Sequence, residues 1–310
     1  MEFGRVPENI LSSINFSLPD EPAENRRILK PAVMEPPRIY IGCAKWARKE
    51  WVGKIYPKGT KATKFLEQYI KNYNSIELNL TYHNLYSPQE ICQWAVQAKG
   101  KDFKFCPKVT KLISHESGFV NIGHLTDRFI ESVLAFGENL GPVFLQVSEY
   151  YGPGQRDKLF NYIASLPKNL QFFLEVRHPD WFTKPEIRKE LFDTLRSLNI
   201  GAVITDTAGY RYCAHMELTL PKAFIRYVGN SLHETDYSRI DTWIKRLKYW
   251  LDNGLQELYF FMHMHDEAYS PELTVYLVDG MNATCNLQLQ KPHFIQTSLF
   301  SQFTNARKEK

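Results

Sequence analysis

Several absences narrow the field before anything present is considered. The five cysteines, at positions 43, 92, 106, 213 and 285, form no CxxC and no close pair. An odd, scattered set of thiols argues against a disulfide scaffold and for a reducing compartment. The opening MEFGRVPENI lacks the basic-then-apolar build of a secretory signal. Nowhere is there a run of about 18 apolar residues, so a membrane-spanning helix is not expected. The phosphate-binding P-loop, the GxGxxG turn and the GxSxG elbow are all missing, which argues against nucleotide-triphosphate, dinucleotide and α/β-hydrolase chemistry. Excess charge of one sign is scarce too. With 38 Lys plus Arg against 34 Asp plus Glu, the net charge is +4, too slight to mark a nucleic-acid surface. These absences describe a soluble, cytoplasmic protein with no membrane contact and no expected cofactor.

What is present is a large apolar fraction. Of 310 residues, 44% are hydrophobic and 14% aromatic, enough to fill the core of one large α/β domain. Residues 1–37 stand apart, because six prolines fall there among charged residues. They read as an extension over the surface, with a short helix near Pro7 to Ile14. Residues 38–300 form the folded domain, and 301–310 a polar tail.

Within the domain, eight strand-like runs alternate with helical patterns: 39–43, 75–79, 103–108, 142–147, 172–177, 202–206, 223–228 and 258–263. Ser87-Pro88-Gln89-Glu90 is a capping box with proline at the first helical position. Ser238 with Asp241 reads as the start of a second helix, whose apolar face runs from Ile240 to Leu251. Eight strands in alternation with helices favour a single (β/α)8 TIM-like barrel over a doubly wound sheet.

Barrel side chains alternate between the interior and the helix layer. In FFLEVR, placing Phe172, Leu174 and Val176 against the helices sends Phe173, Glu175 and Arg177 inward. The same parity sends Glu77, Asn79, Lys108, Gln146, Arg226 and His263 inward. In each strand the apolar inward residues come first and the polar ones at the C-terminal end, where barrel enzymes build their sites. Asp206, Trp46, Tyr82, His178 and Trp181 follow strands closely enough to join the same rim.

This set carries mixed chemistry. Lys108, Arg177 and Arg226 suit a phosphate, sulfate or carboxylate. Glu77 or Glu175 suits a general acid or base, with Asn79, His178 and Asp206 beside them. Trp46, Tyr82, Trp181 and His263 complete a substrate wall. A structural reading competes, since inward Glu–Arg pairs also exist only to satisfy each other. Five histidines (83, 115, 178, 263 and 265) fall near strand ends. Only His263-Met264-His265 pairs two on one element, so no metal is assigned.

At these residues the chain resembles the YecE-like proteins, the domain of unknown function seventy-two. The resemblance rests on IYIGCAKW, SIELNLTYH, FKFCPKVTKLISH, EVRHPDWF, ITDTAGYR, FIRYVG and YFFMHMHDEAYSPEL, in order. It implies a TIM-like barrel with recurring polar positions at Trp46, Glu77, Asn79, Thr81, Lys108, His115, Glu175, Arg177, His178, Trp181, Asp206 and Arg226. This chain departs at Ala44-Lys45, Val228-Gly229 and Met262-His263, where many members carry Ser-Gly, His and Asn-Asn. No settled activity comes with the resemblance. The expectation is therefore an enzyme (a hydrolase, lyase or isomerase) acting on a small anionic or phosphorylated substrate at the barrel mouth. A nucleic-acid-binding or nucleic-acid-processing barrel and a non-catalytic ligand-binding protein are the alternatives.

Overall fold

A computed structural model describes residues 3–30 and 36–295; the expected tail at 301–310 lies outside the described residues. Eight parallel strands form one sheet: β1 (Arg38–Cys43), β2 (Ser75–Leu78), β3 (Lys104–Pro107), β4 (Val143–Gln146), β5 (Phe172–Glu175), β6 (Gly201–Asp206), β7 (Lys222–Gly229) and β8 (Glu257–Met264). Their order is β3-β2-β1-β8-β7-β6-β5-β4, and helices occupy the connections. This is an α/β TIM-like barrel, closed along seven of its eight seams by continuous ladders. The eighth seam, between β3 and β4, is held by isolated bridges, Phe105 to Leu140 and Lys108 to Phe144.

Alternation along each strand divides the apolar residues into two cores. Tyr40, Cys106, Phe144, Phe173, Val203, Phe224, Tyr259 and Phe261 fill the barrel interior. Ile41, Cys43, Ile76, Leu145, Leu174, Ile225 and Phe260 belong to the larger core between strands and helices. The interior is crowded enough to dictate a glycine. A Cβ on Gly201 would lie 2.1 Å from the Phe173 ring, so only glycine lets that ring turn inward.

The helix ends follow local chemistry. Ser87 Oγ accepts from the Glu90 backbone N–H, and the Glu90 carboxylate accepts from the Ser87 N–H, as the capping box requires. The helix expected from Ser238 starts a turn earlier, at Glu234. His233 caps it by accepting from the Thr235 N–H, while Ser238 lies inside the helix and its hydroxyl donates to the Thr235 carbonyl. An imidazole nitrogen serving as cap escapes a search for Ser, Thr, Asp or Asn.

Residues 3–30 form a strap. After a short 3-10 helix at Glu8–Ser13, it runs along the β6 and β7 side of the barrel. Asn25 fixes it by donating to the Met216 carbonyl and accepting from the Leu218 N–H. Glu21 accepts from the Trp250 indole and pairs with Arg246. Among the described residues, no helix is long and apolar enough to cross a membrane.

Candidate functional site

The polar ends of β2, β5, β7 and β8 converge on one guanidinium. Arg226, buried on β7, donates from Nε and Nη2 to Glu77 at 2.8 and 2.9 Å. Its Nη1 donates to both oxygens of Glu175, at 3.0 and 2.8 Å. Glu77 also accepts from Asn79 Nδ2 at 2.9 Å and from His263 Nε2 at 2.8 Å. Glu175 also accepts from Thr205 Oγ1 and Arg177 Nε, each at 2.8 Å. Each carboxylate therefore accepts four hydrogen bonds, about the number its lone pairs allow.

This occupancy sets the charge state. Burial alone would raise both carboxyls, but the cations outweigh it. Arg226 and His263 hold Glu77 well below the usual carboxylate range. Arg177 and Arg226 hold Glu175 at about 2. Burial likewise works against Arg226, yet Glu175 and Glu77 push it above its ordinary value. Glu77 and Glu175 were expected as general acid or base. Buried, ionised and each held by Arg226, they are placed as counter-charges to that guanidinium, and among the described residues the Glu175 Oε2 accepts only from Arg226 Nη1.

Two cations stand beside this network. Lys108 follows β3 and crosses the weak seam to β4, where Nζ donates to Gln146 Oε1 at 2.6 Å. The same nitrogen lies 4.2 Å from the centroid of the Tyr82 ring. Burial first, then the nearby charges of Arg226 and Arg177, push this amine down to about 7. Arg177 uses Nε on Glu175, and its terminal nitrogens make no hydrogen bond to another described residue. His115, edge-on to Tyr82, is pushed down to about 4 by burial and by Lys108 and Arg177, so it is neutral at pH 7.

The strap covers this side of the mouth. The Phe3 ring sits 3.8 Å from the Arg177 guanidinium carbon and stacks on Tyr210 at 4.6 Å. The Phe3 carbonyl accepts from Thr207 Oγ1, and the Gly4 carbonyl from the Gly209 N–H. Nearby, a cleft of about 810 Å³ opens between strap residues such as Arg5 and Leu11 and the loops after β7 and β8, including Asn230 and His265.

The structure thus brings together Glu77, Asn79, Lys108, Glu175, Arg177, Arg226, His263 and Tyr82. Others lie elsewhere. Asp206 was expected at the rim but lies on the opposite face of β6. There it pairs with Arg239 at 3.0 Å and with Arg211, and it accepts from Trp243 Nε1 at 2.7 Å. The reason is parity, since Val203 and Thr205 face inward and Ala202, Ile204 and Asp206 outward. Trp181 was expected against substrate; it is fully buried, packs on Phe160 and donates to the Tyr151 carbonyl, as a packing anchor would. His178 stands partly exposed at the rim, where Nδ1 accepts from the Asp180 N–H. Trp46 sits edge-on to Trp94 on the β1 side.

Thr205 and Gln146 join the site through inward parity, a signal readable in AVITD and PVFLQV. Phe3 does so with no sequence signal at all. Among the described residues, no three His, Cys, Asp or Glu side chains group as they would around a metal ion.

Similarity to known proteins can now be set beside this geometry. A family model described as "Protein of unknown function DUF72" matches residues 40–295. The UPF0759 protein YecE of Escherichia coli K12 is 26% identical over 264 residues, covering 79% of this chain and 93% of the relative; the O157:H7 protein matches equally. Among solved structures, a DUF72 family protein of Enterococcus faecalis V583 superposes with a TM-score of 0.63 at 15% identity, over 84% of this chain and all of the other. One from Thermotoga maritima MSB8 gives 0.58 at 20%, over 81% and 100%. At such identities the solved structures speak to the fold alone. The strap, residues 3–30, lies before the matched stretch.

Proposed function

Because the chain belongs to the DUF72 family of proteins of unknown function, whose fold brings no activity with it, we propose that it is an enzyme acting on a small anionic or phosphorylated compound at the barrel mouth. One observation carries this reading. After Arg226 has been satisfied by both carboxylates, the Lys108 ammonium and the terminal nitrogens of Arg177 are cationic donors with no carboxylate oxygen assigned to them. Three cations against two carboxylates leave the mouth one positive charge in excess when Lys108 is protonated. A ligand carboxylate or phosphate would supply the missing charge through charge-assisted hydrogen bonds.

Lys108 and Arg177 bind the anion in this reading. Arg226, Glu77 and Glu175 form the rigid base that aims them, and Asn79, His263 and Thr205 lock that base. Lys108, whose proton exchanges near neutral pH, is the proton carrier the two glutamates cannot be. The depth of these cations suits a small ligand better than a polymer backbone, which needs charge in a surface row.

Calorimetric titration with phosphate, sulfate and short carboxylates tests the proposal, with Arg177→Met in parallel. Binding of at least one anion, weakened about tenfold or more in the variant, is expected. If a folded wild-type protein binds none of them, the proposal fails.

A further inference from the structure

Among the described residues Lys108 is the amine of the mouth network, and with its proton exchanging near neutral pH its surroundings let it serve as a neutral nucleophile as well as a charge. It is 7% exposed, and its hydrogen-bond acceptor is a carboxamide, Gln146 Oε1, at 2.6 Å. Both carboxylates that would ordinarily neutralise it are taken, Glu77 by Arg226, His263 and Asn79, and Glu175 by Arg226, Arg177 and Thr205. On its other side are the face of Tyr82 at 4.2 Å and the ring of Phe144 at 6.0 Å. A dry wall with no available anion favours the uncharged amine, as the depressed value of about 7 reflects. A neutral lysine amine adds readily to carbonyl carbons.

We propose, building on the anion-binding reading of the same mouth, that Lys108 forms an imine with a carbonyl compound that carries a carboxylate or phosphate group, with the anion held by the terminal nitrogens of Arg177. The Nζ lone pair bonds to the carbonyl carbon as the C=O π pair moves onto oxygen. A proton passes from nitrogen to that oxygen, giving a carbinolamine. The hydroxyl then takes a proton from solvent, the C–O bond breaks and water leaves, and the nitrogen lone pair closes the C=N bond while nitrogen keeps its remaining proton, so the product is the protonated imine. Nothing is oxidised or reduced. The protonated imine draws electrons from the neighbouring carbon, so the chemistry it serves is cleavage or formation of a bond at that carbon, which places the enzyme among lyases or isomerases rather than hydrolases.

The test is reductive trapping on the full-length protein. Glyoxylate, pyruvate and dihydroxyacetone phosphate are each incubated with the protein and cyanoborohydride, with uncharged dihydroxyacetone as control, and the labelled lysines are mapped by peptide mass spectrometry. We expect Lys108 to be labelled more than about tenfold above the average surface lysine, by the anionic carbonyls and not by the neutral one. Preference between the carboxylate and phosphate probes identifies which anion the site takes. Because the map is made on the unaltered chain, it stands even if Lys108→Met fails to fold. Phosphate and acetate binding is measured alongside. If these anions bind and Lys108 is labelled no faster than the surface, the imine is overturned and the anion site stands. If neither binding nor selective labelling occurs, both fall. Equal labelling by neutral dihydroxyacetone overturns the anionic substrate class and the proposal with it.

Discussion

The ring of Phe3 lies 3.8 Å from the guanidinium carbon of Arg177, so the strap rests on the mouth cation whose terminal nitrogens make no hydrogen bond to another described residue. The contact is a cation–π pair backed by Tyr210 and pinned through Thr207 and Gly209. A ligand anion approaching Arg177 must share the guanidinium with that ring or displace it.

Phe3→Ala should therefore make Arg177 easier to reach. A partly desolvated cation–π contact is worth about 0.5–2 kcal/mol, which corresponds to a rise in anion affinity of roughly two- to thirtyfold. Titration of the variant with phosphate, and the rate of Arg177 modification by phenylglyoxal, both report it. Unchanged affinity together with unchanged modification would mean that the strap does not guard the mouth.

The ion network predicts two kinds of mutational damage. Arg226→Met strands two buried carboxylates, and removing one partner of a buried pair costs about 3–5 kcal/mol. Denaturant unfolding should show that loss together with loss of anion binding. Asp206→Asn is also expected to lower stability, because it weakens the pairs with Arg239 and Arg211. Since Asp206 faces the helix layer, anion affinity should stay at the wild-type level. Weaker anion binding by a folded Asp206→Asn protein would contradict the placement argued above.

Acid should destabilise the fold in two overlapping windows. Burial pushes His215 down to about 3; its Nε2 donates to the Val203 carbonyl, and its Nδ1 accepts from the Glu217 N–H. The unfolded chain takes up this proton near pH 6.5 and the folded one does not, so stability drops as pH falls below about 6.5. Glu175, held at about 2, adds a second loss as pH falls from about 5 toward 2. Each contributes at most about 1.4 kcal/mol per pH unit inside its window. Unfolding midpoints at pH 8, 6 and 4 should fall in that order, and His215→Gln should flatten the slope between pH 6.5 and 5. A midpoint that does not change over this range would refute both assignments.

Much of this was legible in the sequence, and the boundary has physical causes. Period-two alternation sends Glu77, Glu175, Lys108, Gln146, Arg226 and His263 inward because barrel strands have only two faces, and the interior cluster of Phe144, Phe173, Phe224 and Phe261 obeys the same rule. Asp206 went astray because position at a strand end was weighed without its parity against Val203. The roles of Glu77 and Glu175 were illegible for another reason. Whether a carboxylate is a base or a counter-charge depends on how many donors reach it, and those donors come from β6, β7, β8 and the segments just after β2 and β5, up to 186 residues away. Phe3 is harder still, since one aromatic in a proline-rich extension has no periodicity to place it.

Lys108→Met tests whether the mouth is built for a ligand at the expense of stability. The folded chain holds this amine near 7, whereas in the unfolded chain it keeps its proton to about 10.4. A group whose folded value is depressed burdens the fold fully below the folded value, and the burden fades as pH rises toward the unfolded one. Methionine, of similar length and without charge, should therefore stabilise the protein at pH 7 by on the order of 2 kcal/mol, after allowing for the lost hydrogen bond to Gln146. The gain should shrink between pH 7 and 10 and be nearly gone at pH 10. Anion binding at pH 7, where part of the Lys108 population carries its proton, should be strongly weakened. Thermal unfolding of both proteins across that range, with phosphate titration at pH 7, separates the possibilities. A variant that is less stable than wild type at pH 7 would make Lys108 a structural tie across the β3–β4 seam. A more stable variant that no longer binds anions would mean the lysine is kept for the ligand, because a site that has to meet an incoming charge cannot also be the most stable packing of its own residues.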